Sequence, residues 1–205
     1  MKINLGIIGY SSHSYVCIEI AILSNIHVIG YYDIEEKEQN PYQIKYLGSE
    51  NQILKSDNYL FVTIGDNQLR HSVCEKLSST NSFATLIHPT TNISTTSKIS
   101  DNVLISAGAI VNAQAKVGFG SIVNTAAIIE HECFLDEFVH IAPGATLAGN
   151  VSVGKRSFVG ANATIKQGIT IGDDVIIGAG AVIINDIPSN SIVVGNPGRI
   201  IKTRL

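Results

Sequence analysis

Tryptophan is absent from this 205-residue chain, and aromatic residues make up only 6% of it. A core built on large rings is therefore excluded, and packing must rest on aliphatic side chains. Cysteine is scarce as well: Cys17, Cys74 and Cys133 lie far apart and form no CxxC pair. That spacing suits neither a disulfide framework nor a zinc knuckle, and the thiols read as small buried hydrophobes in a reducing cytosol. Charged residues amount to 15% with a net charge of −3, which leaves no electrostatic footprint for nucleic acid. No apolar run approaches the ~20 residues that a membrane span needs. The opening Met1-Lys2-Ile3-Asn4-Leu5-Gly6 breaks too early at polar and glycine positions for a signal peptide, so a cytoplasmic location is expected.

What the chain does have is 45% hydrophobic residues and 18 glycines, enough for a sizeable, strand-rich core. The pattern divides in two. Over residues 1–82, strands alternate with helices: Ile3–Ile8 ends at Gly9, His27–Tyr32 stops at Asp33, and Asn58–Ile64 ends at Gly65-Asp66. Between them Val16, Cys17, Ile20 and Leu23 recur at helical spacing, as do Leu69, Val73 and Leu77 within Asn67–Leu77. Phe83–Ile87 reads as a last strand, and the polar stretch from Asp33 to Asp57 takes no assignment. Such alternation predicts a small Rossmann-like α/β domain with a parallel sheet.

In the second part, residues 83–205, the period changes to six. Every sixth residue from Ile87 to Ile183 is Ile, Leu or Val, seventeen in register. If such residues fill about 0.3 of positions, chance would give this on the order of once in a billion, and a fixed period marks a repeat architecture. Three short strands with their turns make one triangular coil of eighteen residues, so the aliphatic ladder fills a prism of roughly five stacked coils. Two residues before each rung stands a second inward position, small or β-branched throughout: Ser97, Val103, Ala109, Ala115, Ser121, Ala127, Cys133, Val139, Ala145, Val151, Ser157, Ala163. After Ile183 the register fails, and Pro188, Gly195, Pro197 and Gly198 mark a turn-rich cap.

Against a surface of Asn, Asp, Ser, Thr and Gly, the segment Glu130-His131-Glu132 stands out, with His140 nine residues on. Half a coil separates the two histidines, which places them on neighbouring faces. One coil away from His131 lie Ala113 and Gly149, small enough to leave the imidazole reachable. A neutral imidazole is the natural base near pH 7, and either Glu130 or Glu132 can orient it. Two histidines are one ligand short of a catalytic zinc site, so no metal is expected. In the first half, Gly9-Tyr10-Ser11-Ser12-His13 joins strand to helix, where hydroxyls and free amides suit a phosphate. Asp33 and Gly65 end the neighbouring strands and line the same crevice, as nucleotide-binding residues do in open parallel sheets.

The segment "IIEHECFLDEFVHIAPGATLAGNVSVGKRSFVGANATIKQGITIGDDVIIGAGAVI", followed by "VVGNPGRI" and preceded by a βαβ half, resembles the sialic acid O-acetyltransferase-like sugar acyltransferases. That family includes N-acetyltransferases of nucleotide-linked 4-amino sugars of the bacillosamine and perosamine type. The resemblance spans essentially the whole chain and implies a left-handed parallel β-helix, acetyl-CoA as co-substrate and a homotrimer with active sites between subunits. It also implies His131 as general base with Glu132 raising its basicity, His140 beside acetyl-CoA, and backbone groups of Ala161 and Ala179 on the pantetheine arm. Ser11, Ser12, His13, Asp33 and Gly65 would hold a UDP- or GDP-linked amino sugar. Two departures bear on the nucleotide: Ser12 and Ser14 replace glycines of the family's usual first loop, and Ile34 follows Asp33 where a second acid is common.

The expected reaction is direct N-acetylation, with His131 taking the proton of the attacking amine. O-acetylation of a sialic acid or other sugar hydroxyl is the alternative within the class. A non-catalytic β-helix scaffold and a zinc lyase are the alternatives outside it.

Overall fold

The computed structural model describes residues 3–53 and 55–203. Met1 and Lys2, which open the segment read above as unlike a leader, fall outside that range. The first half contains strands β1 (Asn4–Ile8), β2 (His27–Tyr32), β3 (Tyr46–Gly48) and β4 (Tyr59–Val62), with helices α1 (Ser12–Leu23) and α2 (Asn67–Leu77). The strands pair in parallel in the order β3-β2-β1-β4. β3 and a single 3-10 turn at Glu50–Gln52 occupy the stretch left unassigned above. Parallel pairing of β1 with both neighbours places the carboxyl ends of β1, β2 and β4 along one edge, so Ser11, Asp33 and Gly65 all gather there.

Both helices bury part of the expected face, Cys17 and Ile20 on α1 and Val73 and Leu77 on α2, but each is rotated from it. α1 buries Ser14, Cys17, Ile18, Ile20 and Ala21, while Val16 and Leu23 face solvent. α2 buries Asn67, Arg70, Val73, Cys74 and Leu77, and Leu69 is exposed. Ser14 is buried through its bonds to the Ser11 backbone, and Arg70 and Asn67 through bonds to coil carbonyls, partners that a purely apolar stripe ignores. All three cysteines are free and buried, as their spacing predicted.

From Leu86 onward the chain forms two-residue strands joined by turns, and strands three apart pair in parallel. The first face of this prism carries Leu86–Ile87, Leu104–Ile105, Ile122–Val123, His140–Ile141, Phe158–Val159 and Ile176–Ile177. The second runs from Asn92–Ile93 to Val182–Ile183 and the third from Lys98–Ile99 to Thr170–Ile171. Of the expected final strand of the α/β sheet, only Phe83 bridges to Leu60; Leu86 and Ile87 already belong to the first coil. The inward rungs from Ile105 to Ile183 are buried, and the small second positions from Val103 onward pack beside them. Ile87, Ile93 and Ile99 are only partly covered because the first coil has no coil before it. The ladder also does not end at Ile183. Ile171 pairs with Ile187 and Ile177 with Val193, sixteen residues on instead of eighteen, so one short coil continues the stack. The strand Arg199–Thr203 then folds back antiparallel on Ser191–Val194.

The turns explain the period. Every sixth residue from Asn102 to Gly180 has a positive φ between 55° and 73°, which bends the chain through a corner without opening the stack. Gly, Asn and Asp fill many of these corners, as the left-handed region favours them. Gln114, Ala126, Glu132, Phe138 and Arg156 fill others without that aptitude. Ala126→Gly is therefore expected to stabilise the protein by about 0.5 kcal/mol, the relief of αL strain less the glycine's extra chain entropy. Gly108→Ala, where an added Cβ meets nothing and only φ +68 opposes it, is expected to destabilise by about 1 kcal/mol. Urea unfolding of the two variants checks both signs.

Candidate active site

His131 stands in the corner between the second-face strand Ile128–Ile129 and the third-face strand Phe134–Leu135. Its ring is about half exposed, with Nδ1 3.2 Å from Glu132 Oε2. Glu130 turns back instead, its Oε2 accepting the His131 backbone N–H at 3.3 Å. The structure thus separates two carboxylates that the sequence left equivalent. A carboxylate only accepts, so the Nδ1–H of a neutral ring donates to Glu132 and the Nε2 lone pair is left available. The ring lies flat over Gly149, one coil on: a Cβ there would come within 2.5 Å of Cε1 and Nε2. Gly149 is the seat of the imidazole, and the φ 60 corner at Glu132 brings the carboxylate to its side.

His140 occupies a different environment. It points outward from the first face, in a column whose earlier members Leu86, Leu104 and Ile122 are buried in one cluster with Leu5, Ile7 and Phe61. The α/β half covers this column, and His140 is its first polar member, 9% exposed at the margin of the covering domain. Across the gap stands His13 of α1, ring centroid to ring centroid 6.5 Å, and Phe158 packs edge-on to His140 at 5.1 Å. Asn124 fixes the His140 tautomer. Its Oδ1 accepts the Thr125 backbone N–H at 2.8 Å, so its amide nitrogen faces His140 Nε2 at 3.2 Å. Nε2 therefore accepts, and the proton of the neutral ring sits on Nδ1. That nitrogen is buried with no partner, and so is His13 Nε2. Burial, reinforced by the nearby Arg70 and by His13, pushes His140 down to about 3; burial and Arg70 also lower His13.

The remaining candidates surround these rings. Ser11 and Ser12 open α1 and, with Tyr10, Tyr15, Lys37 and the carboxylates of Glu35, Glu36 and Glu38, line a groove of about 620 Å³. Asp33 does not line it, and its carboxylate is engaged: Oδ2 accepts the Tyr10 N–H, Oδ1 the Ile34 N–H, and Lys37 Nζ is 3.0 Å away. Gly65 opens a second hollow of about 290 Å³ between the start of α2 and Phe158 and Ile176 of the first face. Ala161 and Ala179 stack in consecutive coils at the corner between first and second faces, and their amides donate to no carbonyl among the described residues.

One expectation about placement is overturned. His131 and His140 do not lie on neighbouring faces: His131 is at the corner of the second and third faces, opposite the first face that carries His140. Half a coil in a three-sided prism leads from a corner to the facing side. His13, His140 and Gly65 come together; His131 and Glu132 stand apart from them. Asn124 and Arg70 were not anticipated. The only signal for Arg70 was its helical spacing with Asn67, Val73, Cys74 and Leu77, and for Asn124 there was none.

Comparison with known proteins follows this geometry. Residues 4–77 match the PglD N-terminal domain family, and residues 150–184 match the hexapeptide repeat of succinyl-transferase. The acetyltransferase domain of PglB from Neisseria gonorrhoeae FA1090 is 34% identical, with 97% of this chain and 99% of that chain covered and a TM-score of 0.90. The same domain in complex with acetyl coenzyme A gives 33% identity, 98% and 100% coverage and a TM-score of 0.91. PerB from Caulobacter crescentus, in complex with CoA and GDP-perosamine, is 32% identical over 97% of each chain, with a TM-score of 0.91. The chain belongs to the sugar acyltransferase family of the perosamine and bacillosamine type. The prism of this acyltransferase is accordingly a left-handed parallel β-helix.

In this acyltransferase the depressed His140 makes stability depend on pH. The unfolded ring protonates near 6.5 and the folded one near 3, so below 6.5 the unfolded chain binds a proton that the folded chain refuses. The contribution is complete above 6.5 and is lost as pH falls toward 3. Between pH 7 and pH 5 the wild type is expected to lose about 2 kcal/mol more than His140→Leu does. Urea unfolding at the two pH values measures that difference.

Proposed function

We propose that this chain transfers an acetyl group from acetyl-CoA to the amino group of a nucleotide-linked amino sugar, at a site shared by two copies. One copy supplies the crevice with Ser11, Ser12, His13, Gly65 and His140, and the next supplies His131 and Glu132. The observation that carries this reading is the placement of a carboxylate-oriented imidazole on the prism corner farthest from two buried, unpartnered histidine nitrogens. A trimer with parallel prisms brings a corner of each copy against the flank of its neighbour. Phe134 is 43% exposed beside His131, and Ile110 and Ile128 are half-buried on the second face, apolar surface that such a contact would cover. The relatives support the chemistry: one is an acetyltransferase domain in complex with acetyl coenzyme A, and another is in complex with CoA and GDP-perosamine.

In this reading the nucleotide lies over the carboxyl ends of β1, β2 and β4, with phosphate on the amides and hydroxyls at the start of α1. Asp33 shapes that loop through Tyr10 and Ile34 rather than reaching the ligand itself. The free amides of Ala161 and Ala179 hold the pantetheine arm along the corner. The sugar amine attacks the thioester carbonyl as His131 Nε2 takes its proton, and Glu132 stabilises the imidazolium that forms. A backbone N–H stabilises the oxyanion, the C–S bond breaks, and the proton passes from His131 to the departing thiolate. No acyl-enzyme forms.

Incubation with acetyl-CoA and a panel of UDP-, GDP- and CMP-sugars, following released thiol, is expected to give turnover with an amino sugar; turnover only with hydroxyl acceptors would replace N- by O-acetylation. His131→Ala is expected to lower kcat by about 10²–10⁴-fold with the fold intact, since the side chain faces outward. Chains carrying His131→Ala and chains carrying His140→Ala, each inactive alone, are expected to regain activity when co-assembled. Mixed trimers without recovery would rule out a shared site.

A further inference from the structure

Arg70 is 1% exposed, and all five of its N–H donors are used without meeting a carboxylate. Nε donates to Gly120 O at 2.7 Å, Nη1 to Ile64 O at 2.9 Å and Gly65 O at 3.1 Å, and Nη2 to Asn67 Oδ1 at 2.7 Å and Phe138 O at 3.1 Å. Asn67 continues the chain of bonds, its Nδ2 reaching Arg156 O and Ser157 O at 2.9 and 3.1 Å. Gly120, Phe138 and Arg156 are the left-handed corner residues of three successive coils. The first turn of α2 is thus pinned to three coils along one edge, and the loop after β4 is pinned with it. Phe138 lies two residues before His140, and Gly65 lines the hollow beside that ring.

Stability alone does not account for this arrangement. A buried guanidinium loses its hydration, and a well-packed apolar side chain in its place would hold two surfaces together at least as well. What an apolar side chain lacks is direction: a planar fork with five fixed donors sets where each carbonyl stands. We propose that Arg70 is the positioning residue that fixes the nucleotide-sugar crevice relative to the acyl-transfer face, acting through Gly65 on one side and Phe138 on the other. This inference rests on the reaction proposed above. Arg70 also contributes charge. Besides burial, the influences on His140 are Arg70, His13 and the Gly65 carbonyl, and the one on His13 is Arg70, so the guanidinium helps keep both rings neutral.

Three variants test the assignment: Arg70→Met, Arg70→Lys, which keeps the charge but not the fork, and Asn67→Ala, which frees the loop from Arg156 and Ser157 while leaving the charge. Rates are expressed per folded site, counted by CoA binding in calorimetry. Arg70→Met is expected to lower kcat/KM for the nucleotide sugar about 10²-fold, the scale of a 1 Å misplacement, with KM for acetyl-CoA changed less than about 2-fold. Arg70→Lys, which keeps the charge, is expected to recover only part of kcat/KM, and Asn67→Ala to lose about 10-fold. Should Arg70→Met not fold, the other two variants decide the question. Wild-type constants per folded site in every variant that folds would overturn the proposal. Hydrogen exchange separates this outcome from a failure of the proposed reaction: the Leu69 and Arg70 amides, which donate to Asp66, are expected to exchange at least about 10-fold faster in the variants while those of the coils do not. Unchanged exchange there refutes Arg70 even if the wild type acetylates nothing in the panel, and faster exchange there sustains its positioning of the crevice.

Discussion

Everything in the second half of the molecule follows from the narrowness of its interior. Coils stacked at strand spacing, about 4.8 Å, leave room inside for one aliphatic rung and one small neighbour per strand. No polar group can be housed there beyond a serine that bonds back to the wall, as Ser121 and Ser157 do to Asp136 O and Gly172 O. Chemistry is therefore confined to two kinds of outward position, the corners and the outward residues of the two-residue strands. A residue's place in the six-residue cycle decides which it occupies. Glu132 is a corner residue and bears φ 60; His140 is a strand residue and takes the chemistry of whatever covers its face.

What covers that face is the α/β half, and the covering has two components. One is apolar and undirected: Leu86, Leu104 and Ile122 under Leu5, Ile7 and Phe61, and Phe138 with Val62, Val73 and Leu77. The other is polar and directed: Asn102, itself a corner residue, accepts the Val62 N–H, while Arg70 and Asn67 grip three coils. Apolar burial supplies most of the attraction, and the hydrogen bonds set the register in which the halves meet. Where the cover ends, His13 Nε2 and His140 Nδ1 are left buried without a hydrogen-bond partner, near a cation. Such rings stay neutral and present a single N–H or lone pair, suited to holding a polar ligand rather than to exchanging protons. His131, half exposed and backed by Glu132, has the opposite surroundings. The two kinds of histidine differ through environment alone.

The repeat was legible because it is local and redundant: an error at one rung would have been outvoted by the other sixteen. The same redundancy made the end of the ladder illegible, since a shortening of two residues shifts Ile187 and Val193 out of register while leaving their pairing intact. In the α/β half, strand ends were readable from Gly9, Asp33 and Gly65, which must turn the chain. The buried faces of α1 and α2 were only half readable, through Cys17, Ile20, Val73 and Leu77, because apolar spacing gives no weight to a buried Ser14 or Arg70 whose partners lie up to 68 residues away. The corner opposite His140 was misread for a simpler reason. Nine residues are half a turn, and in a triangle half a turn does not end on an adjacent side.

The prism, its coil length, the crevice at the strand ends, and a histidine flanked by acids on the outer wall are all legible in the order of residues. These depend on periodicity and on the conformational limits of glycine, aspartate and asparagine, which act over a few residues. Which carboxylate meets His131, which tautomer Asn124 imposes on His140, and which polar groups are left without partners are set only once the coils and the two halves are packed together. So is the placement of His131 and His140 on opposite sides of the prism. Those outcomes depend on desolvation and hydrogen-bond geometry between segments distant in the chain, where a shift of one ångström changes the partner and no local pattern records it.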